Sequence, residues 1–327
     1  MVNVLVVNPV PFHYECIESV LVYLNRLLDY MCQPSQADDI SVHSVTLLYM
    51  ENVAFKQYML SVLDGIQNKY KMIITINEYT PECFVEYQLL NDIIIYVTDP
   101  ELYKIKDVQL VNVNPSIKTM YIVHNYSKNY VNHSPSLWLW YLAPHCGGAN
   151  YFIPKVLPYS HESVSYKPRV YNKVPIFLIQ GDIRRRDIRQ YYAILRGINA
   201  GYIRNCKFRI IGKCITGNIQ RHPMFEICPN TDFIRYHELS VGCDYILPLV
   251  SYTYNTEYYR AKLTSSISYG LGYNMKFVID NRLSDVYNIP GDMSYVYNAS
   301  RPMDIIRAIK NAVNDYYSQP QSILHGD

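Results

Sequence analysis

No apolar run in this chain approaches the ~20 residues that a membrane-crossing helix requires, so a membrane span is excluded. The first apolar segment, Val2 to Val7, has no basic leader and is short for a secretion signal. The expected setting is therefore soluble, intracellular and cytoplasmic, which makes the sequons at Asn125, Asn132 and Asn298 chance matches. Eight cysteines contain no C-x-x-C pair and no zinc-ligand spacing. They read as free, buried thiols in a reducing compartment, with no metal site. Lysine and arginine form too few blocks for a nucleic-acid groove, so no nucleic-acid partner is expected. Glycine is scarce at 13 residues while tyrosine is abundant at 34, an excess that reads as a genome bias as much as a function.

What is present is a globular composition, 49% hydrophobic and 18% charged, which leaves no reason to expect disorder. At 327 residues the chain is too long for one ordinary core, and two domains are expected. The net charge of +2 hides a division. Residues 1–150 hold 8 basic and 14 acidic side chains, whereas residues 151–327 hold 22 and 14. A basic carboxyl half beside an acidic amino half suggests that one half handles a polyanion.

The amino half alternates short buried strands with helices. Val2 to Val7 reads as a strand, followed by a proline-held loop, Asn8 to Pro11, and a helix from about Glu15 to Tyr30. Val42 to Leu48, Met72 to Ile76, Ile93 to Val97 and Met120 to Val123 are further strands, with a helix at Val53 to Lys69. This alternation predicts a parallel sheet covered on both faces, whose ligand crevice lies beyond the carboxyl ends of the strands. His13 and His124 sit at two such ends. An imidazole takes a proton near neutral pH and a neighbouring carboxylate sets its tautomer, so His13 beside Glu15 is a candidate general base. Glu15 also reads as a helix-start residue favoured by the dipole. His124 and Asn125 are candidates for lining the same cleft. Leu137 to Tyr141 reads as an aromatic packing cluster, and the prolines that follow place a domain boundary near 155–172.

The carboxyl half is organised around Asp244 to Asp280. Tyr245 to Leu249 reads as a buried strand, a tyrosine-rich loop follows, and a helical pattern starts at Lys262-Leu263-Thr264-Ser265-Ser266. Met275 to Ile279 is the next strand. A helix start with free N–H groups, hydroxyls and a lysine is suited to phosphate. Upstream, the strand Ile176 to Ile179 ends in Gln180-Gly181-Asp182 and then Arg184-Arg185-Arg186, before a helix from about Asp187 to Ala200. The arginine run reads either as solvated charge or as a diphosphate clamp, and its place at a strand's carboxyl end favours the clamp. Phe208 to Ile211 and Phe233 to Tyr236 are expected strands, the first closed by Gly212-Lys213 and the second leading to His237-Glu238 on a short helix. Tyr295 to Tyr297 and a last helix from Pro302 to about Tyr317 complete the half.

These segments resemble the donor domain of GT-B glycosyltransferases, an α/β fold of two Rossmann-like domains facing across a cleft. Four stretches carry the resemblance: Phe177 to Gly181 with its arginines, Phe208 to Gly212, Cys243 to Pro248, and Lys262 to Ser266 through Gly272 to Ile279. The resemblance implies domains at 1–160 and 161–327, the first on the acceptor side and the second binding the donor. It places His13 where inverting members hold their base. Its tyrosine-rich, glycine-poor character is also similar to transferases encoded by large DNA viruses of algae. Two features depart from retaining members: Glu257 is followed eight positions later by Ser265 rather than a second acid, and the loop Asn8 to Tyr14 lacks a glycine-rich turn. No D-x-D triplet occurs, which argues against a metal-bound donor site.

The resulting expectation is a metal-independent, inverting glycosyltransferase that moves a sugar from a nucleoside-diphosphate donor to a glycan hydroxyl, without a cofactor. His13 and Glu15 would be catalytic, and His124 and Asn125 would lie on the acceptor side. Gly181, Arg184, Arg185, Arg186, Gly212, Lys213, Phe233, Tyr236, Glu257, Lys262, Thr264, Ser265 and Ser266 would bind the donor. The alternatives are a sugar-nucleotide epimerase or phosphorylase on the same scaffold, and a non-catalytic nucleotide-sugar or glycan-binding protein.

Overall fold

The computed structural model describes residues 2–9, 14–31, 42–50, 53–70, 72–97, 117–124, 137–142, 153, 174–212 and 222–318. The chain divides into two compact units, Met1–Tyr159 with Ala261–Leu263, and Ser160–Arg260 with Thr264–Asp327. The expected boundary segment near 155–172 lies outside the described residues.

In the first unit the strands β1 (Val2–Asn8), β2 (Val42–Tyr49), β3 (Ile73–Glu78), β4 (Ile93–Tyr96), β5 (Lys118–Val123) and β6 (Leu137–Tyr141) form one parallel sheet in the order β3-β2-β1-β4-β5-β6. Val4 to Val7 are fully buried, as a strand covered on both faces requires. The helix α1 (Tyr14–Met31) buries Ile17, Val20, Leu21, Leu24 and Leu27 along the predicted stripe, and α2 is Val53–Tyr70. A third helix, α3 (Pro81–Leu90), has no amphipathic period to announce it. Its start is written locally instead: Thr80 accepts the Cys83 N–H at 3.1 Å, and Pro81 occupies the first turn. The segment Leu137–Tyr141, read from sequence as a packing cluster, pairs with β5 as the edge strand β6.

In the second unit β7 (Ile176–Gln180), β8 (Lys207–Gly212), β9 (Phe225–Pro229), β10 (Tyr245–Ile246), β11 (Lys276–Asp280) and β12 (Ser294–Tyr297) are again all parallel, in the order β12-β11-β10-β7-β8-β9. The helices are α4 (Ile188–Asn199), α5 (Phe233–Val241), α6 (Glu257–Arg260), α7 (Ser265–Gly272), α8 (Asn281–Tyr287) and α9 (Pro302–Ser318). In both units the first three strands run outward on one side and the next three on the other. That is the doubly wound Rossmann order, with a topological switch point between β1 and β4 and another between β7 and β10.

Two expectations are corrected. Phe233 to Tyr236 is not a strand but the first turns of α5, because Asp232 caps it by accepting the Arg235 N–H at 2.8 Å. The strand in this region is β9, eight residues earlier, at Phe225. The strand predicted from Tyr245 to Leu249 is shorter, spanning Tyr245–Ile246 with the Leu247 N–H still donating to the Leu178 carbonyl at 2.8 Å, before Leu249 after Pro248 takes a left-handed φ of 48° and turns the chain out of the sheet. The described cysteines, Cys16, Cys83, Cys206, Cys228 and Cys243, are free thiols. Among the described residues no helix is long and apolar enough to cross a membrane.

Candidate functional site

The second switch point gathers the polar groups. β7 ends at Gln180, and Gly181 follows with a φ of 92°, a conformation open to glycine at little cost. The Gly181 N–H donates to the Ile211 carbonyl at 2.9 Å, which draws the ends of β7 and β8 together. Gly212 closes β8 so tightly against this turn that a Cβ there would lie 2.0 Å from the Gly181 carbonyl oxygen. Both glycines thus serve the shape of the strand ends.

A single 3₁₀ turn, Ile183–Arg185, carries the arginine run and separates its three members. Arg184 folds back on Asp182 in a two-pronged pair, Nε to Oδ1 at 3.0 Å and Nη2 to Oδ2 at 2.7 Å, and is largely exposed. That hydrogen-bonded pairing, reinforced by the neighbouring positive charges, holds the Asp182 carboxyl below its ordinary range. Arg185 is exposed, and its backbone carbonyl accepts from Asn255 Nδ2 at 2.9 Å. Arg186 is buried, with only 9% of its surface accessible. Its Nε and Nη2 donate to the Gln180 carbonyl at 3.1 and 2.6 Å, while its buried Nη1 has no partner among the described residues. Burial pulls this guanidinium below its ordinary pKa, and the charges that push back come from Tyr258, Tyr236 and Asp182. A guanidinium stays protonated even so, which leaves a buried cation with one open donor.

Gln180 is the hub. Its Oε1 accepts from the Tyr236 hydroxyl, and its Nε2 reaches Ser265 Oγ at 3.4 Å. Ser265 is the first residue of α7, and Thr264 stands at its cap position without making a capping bond. The hydroxyls of Thr264 and Ser266 are buried and have no partner among the described residues. The Thr264 N–H donates to the Tyr287 hydroxyl at 3.3 Å, which itself donates to the Tyr258 carbonyl at 3.0 Å. Arg186, Gln180, Ser265, Thr264, Tyr287 and Tyr258 therefore surround one place, built by four segments of the unit.

The turn after β10 completes it. Leu249, fully buried in its left-handed conformation, presents its carbonyl to the Asp187 N–H at 2.8 Å, fixing the start of α4. A β-branch-free residue held at positive φ costs of order 1 kcal/mol, and such strain concentrates at ligand-handling turns.

Of the sequence-derived donor residues, Gly181, Arg186, Gly212, Tyr236, Thr264, Ser265 and Ser266 come together. Phe233 lies on the first turn of α5, with its ring 4.6 Å from that of His237. Glu257 opens α6 and is exposed, and Lys262 stands two residues before Thr264, half-buried. In the first unit, His124 Nε2 lies 2.7 Å from the Val97 carbonyl and so carries the proton, tying the ends of β4 and β5. Glu15 is in the first turn of α1. His13, Asn125 and Lys213 lie outside the described residues. Gln180, Tyr258 and Tyr287 were missed. Only Gln180 carried a signal, as the polar residue closing an apolar strand just before a glycine. Among the described residues no group of three or more His, Cys, Asp or Glu side chains converges as metal ligands.

The buried guanidinium, linked through Gln180 to the amino terminus of α7 with its hydroxyl-bearing residues, is a set of donors. Such a set holds an oxyanion.

No family model matches the chain, and no curated protein matches it. Solved structures do. The S. aureus MnaA–UDP co-structure aligns over 97% of this chain and 89% of its own, with 9% identity and a TM-score of 0.52. A Listeria monocytogenes protein described as a UDP-N-acetylglucosamine 2-epimerase aligns over 97% and 88%, with 9% identity and a TM-score of 0.51. These likenesses show the fold: two parallel-sheet α/β domains of the GT-B kind.

Proposed function

We propose that this protein is a metal-independent enzyme acting on a nucleoside-diphosphate sugar, and that it transfers the sugar, with inversion, to a glycan hydroxyl. The observation that carries the reading is the buried Arg186 guanidinium, whose Nη1 has no partner among the described residues, linked through Gln180 to Ser265 at the start of α7. The diphosphate lies against Arg186 and the start of α7. Charge that develops on it as the sugar departs is met by donors already in place, so little reorganisation opposes the step. Lys262 and Arg185 add positive charge at the margin, and Glu257 with nearby tyrosines contacts the sugar. The base of the nucleotide lies toward Gly212, Lys213 and the Phe233 end of α5. His13, with Glu15 beside it, takes the proton from the acceptor hydroxyl, and His124 and Asn125 belong to the acceptor side.

A second reading is favoured by the two structural likenesses: MnaA was seen with UDP, and the Listeria protein is described as an epimerase of a UDP-sugar. Epimerisation uses the same co-substrate but needs no acceptor. A thermal-shift panel of nucleoside diphosphates tests the shared premise, because a ligand at 100 times its Kd stabilises the native state by about 2.7 kcal/mol. If none of them stabilises the protein, the nucleotide-sugar reading fails. Incubating the preferred nucleotide sugar with and without glycan acceptors then separates the two reactions. A rearranged sugar nucleotide formed without acceptor would establish epimerisation in place of transfer. Release of the diphosphate only when acceptor is present, lost in His13→Ala, is the outcome expected of transfer.

A further inference from the structure

The loop that leaves β10 carries charge that the site above does not use. Tyr252 has two guanidinium carbons close to its ring centroid, Arg260 at 5.3 Å and Arg282 at 5.4 Å, and Arg260 also donates to the Tyr252 hydroxyl. Both arginines are exposed, and neither has a carboxylate partner among the described residues. Their neighbours differ in this respect: Arg184 is neutralised by Asp182, and Arg189 by Asp187 while stacking on Tyr254 at 4.1 Å.

Two like charges beside one ring repel, and flexible side chains on free loops would separate into solvent. Here the backbones that carry them are pinned to each other. Tyr259, next to Arg260, donates to Asp280 Oδ1 at 3.2 Å, and the same oxygen accepts the N–H groups of Arg282 and Leu283 at 3.1 and 3.3 Å. The loop that carries Tyr252 is fixed by the buried Asn255, which bonds the Arg185 carbonyl at 2.9 Å and the Ser251 N–H at 3.2 Å. The pair of cations is thus held ready, so a ligand need not spend binding energy on ordering it.

We propose that Arg260 and Arg282, set about Tyr252, bind the carboxylate of an acidic sugar residue, making the glycan handled by this protein an anionic one. Guanidinium forks match the planar, two-oxygen geometry of a carboxylate. Of the adjoining arginines Arg184 and Arg189 are already paired with carboxylates, and so small a cluster of open guanidinium groups suits one or two acidic groups better than the continuous phosphates of a nucleic acid. The identification of the ligand as a sugar rests on the proposed function; the anion site itself does not.

Binding of trigalacturonate, neutral cellotriose and a short oligothymidylate is to be measured by titration calorimetry at low salt, beside UDP and GDP. The proteins are the wild type, the double variant Arg260→Gln/Arg282→Gln, and Arg186→Met. Trigalacturonate should bind the wild type and cellotriose should not. The double variant should bind trigalacturonate at least about fivefold more weakly, as expected for two exposed ion pairs, and added salt should weaken the wild-type affinity. Its affinity for the nucleoside diphosphate should stay unchanged, whereas Arg186→Met should show the opposite pattern. Equal trigalacturonate binding by the double variant, or equal binding of cellotriose, overturns the proposal. So does tighter binding of oligothymidylate at the same arginines. Loss of trigalacturonate binding in the double variant upholds it even if neither UDP nor GDP binds, an outcome that would refute only the nucleotide reading.

Discussion

The two units wind their six strands in the same order, and they use buried charge in opposite ways. In the first unit the strand ends at the switch point are Asn8 with Pro9 and, across from them, Val97. Its buried carboxylate, Glu18, lies on α1 and takes a hydrogen bond from Tyr58 on α2, where it ties two helices. In the second unit the buried cation, Arg186, stands at the switch point itself, and the hydrogen bonds it makes leave one donor open. Winding order gives both units a topological switch point, and in the second the short loop after its first strand sets a buried cation there. The comparison teaches that two domains of one winding order can carry different side chains at the carboxyl ends of their strands.

Breaking the shape of the second switch point should have the largest effect. Gly212→Ala drives a methyl group against the Gly181 carbonyl, which is backbone and cannot rotate away. We expect a loss of about 3 kcal/mol in urea unfolding, at the upper end of overpacking costs. A variant as stable as wild type would mean that the β7 and β8 ends are not as closely joined as described.

Arg186→Met sharpens the contrast between the units. A buried charge with no carboxylate partner is costly to the native state, so replacing it with an apolar chain of similar length should leave stability unchanged or raised. Nucleoside diphosphate affinity should fall at least about 30-fold, the loss expected for a charge-assisted bond worth roughly 2 kcal/mol. Were stability to fall instead, with affinity intact, Arg186 would be a structural tie, as Glu18 is between two helices. Tyr58→Phe is the counterpart in the first unit. Removing its hydroxyl from the buried Glu18 carboxylate should cost about 1–2 kcal/mol in thermal unfolding and leave nucleoside diphosphate binding untouched.

The strands and long helices were legible because each is a complete apolar run or stripe: β1, β4, β7 and β11, and the faces of α1 and α9, are written in period alone. Short elements governed by a cap were not. α3 depends on Thr80 and Pro81, and α5 depends on Asp232, whose acceptance of one N–H outweighs the β preference of the aromatic residues after it. The Leu249 turn was hidden for a related reason, since nothing in an apolar run marks a left-handed leucine. Within the candidate site, position after a strand was enough to select the arginine run. It was not enough to separate its members, because pairing of Arg184 with Asp182 and burial of Arg186 follow from a single 3₁₀ turn that points Ile183 and Arg186 inward and leaves Arg184 and Arg185 exposed. Tyr258 and Tyr287 were lost among 34 tyrosines.

The smallest effect expected concerns Asp187, a second buried charge beside Arg186 in the chain. Asp187 caps α4 and pairs with Arg189 through Nε and Nη2, both at 2.9 Å. Burial alone would push its carboxyl up, but the hydrogen bonds and charge of Arg189 outweigh it and hold the pKa below the ordinary 3.8. A carboxyl lowered on folding contributes stability that is whole above its unfolded pKa and disappears as pH falls through the folded value. Asp187→Asn keeps a capping oxygen and loses the charge, so it should cost no more than about 1 kcal/mol at neutral pH, because Arg189 is over half exposed and solvent screens the pair. On acidification the two thermal midpoints should converge as the pH falls below about 4, since only the wild type still has that contribution to lose. A constant gap across this range would assign the cost to the cap, and would leave Arg186 as the buried charge that acts at this switch point.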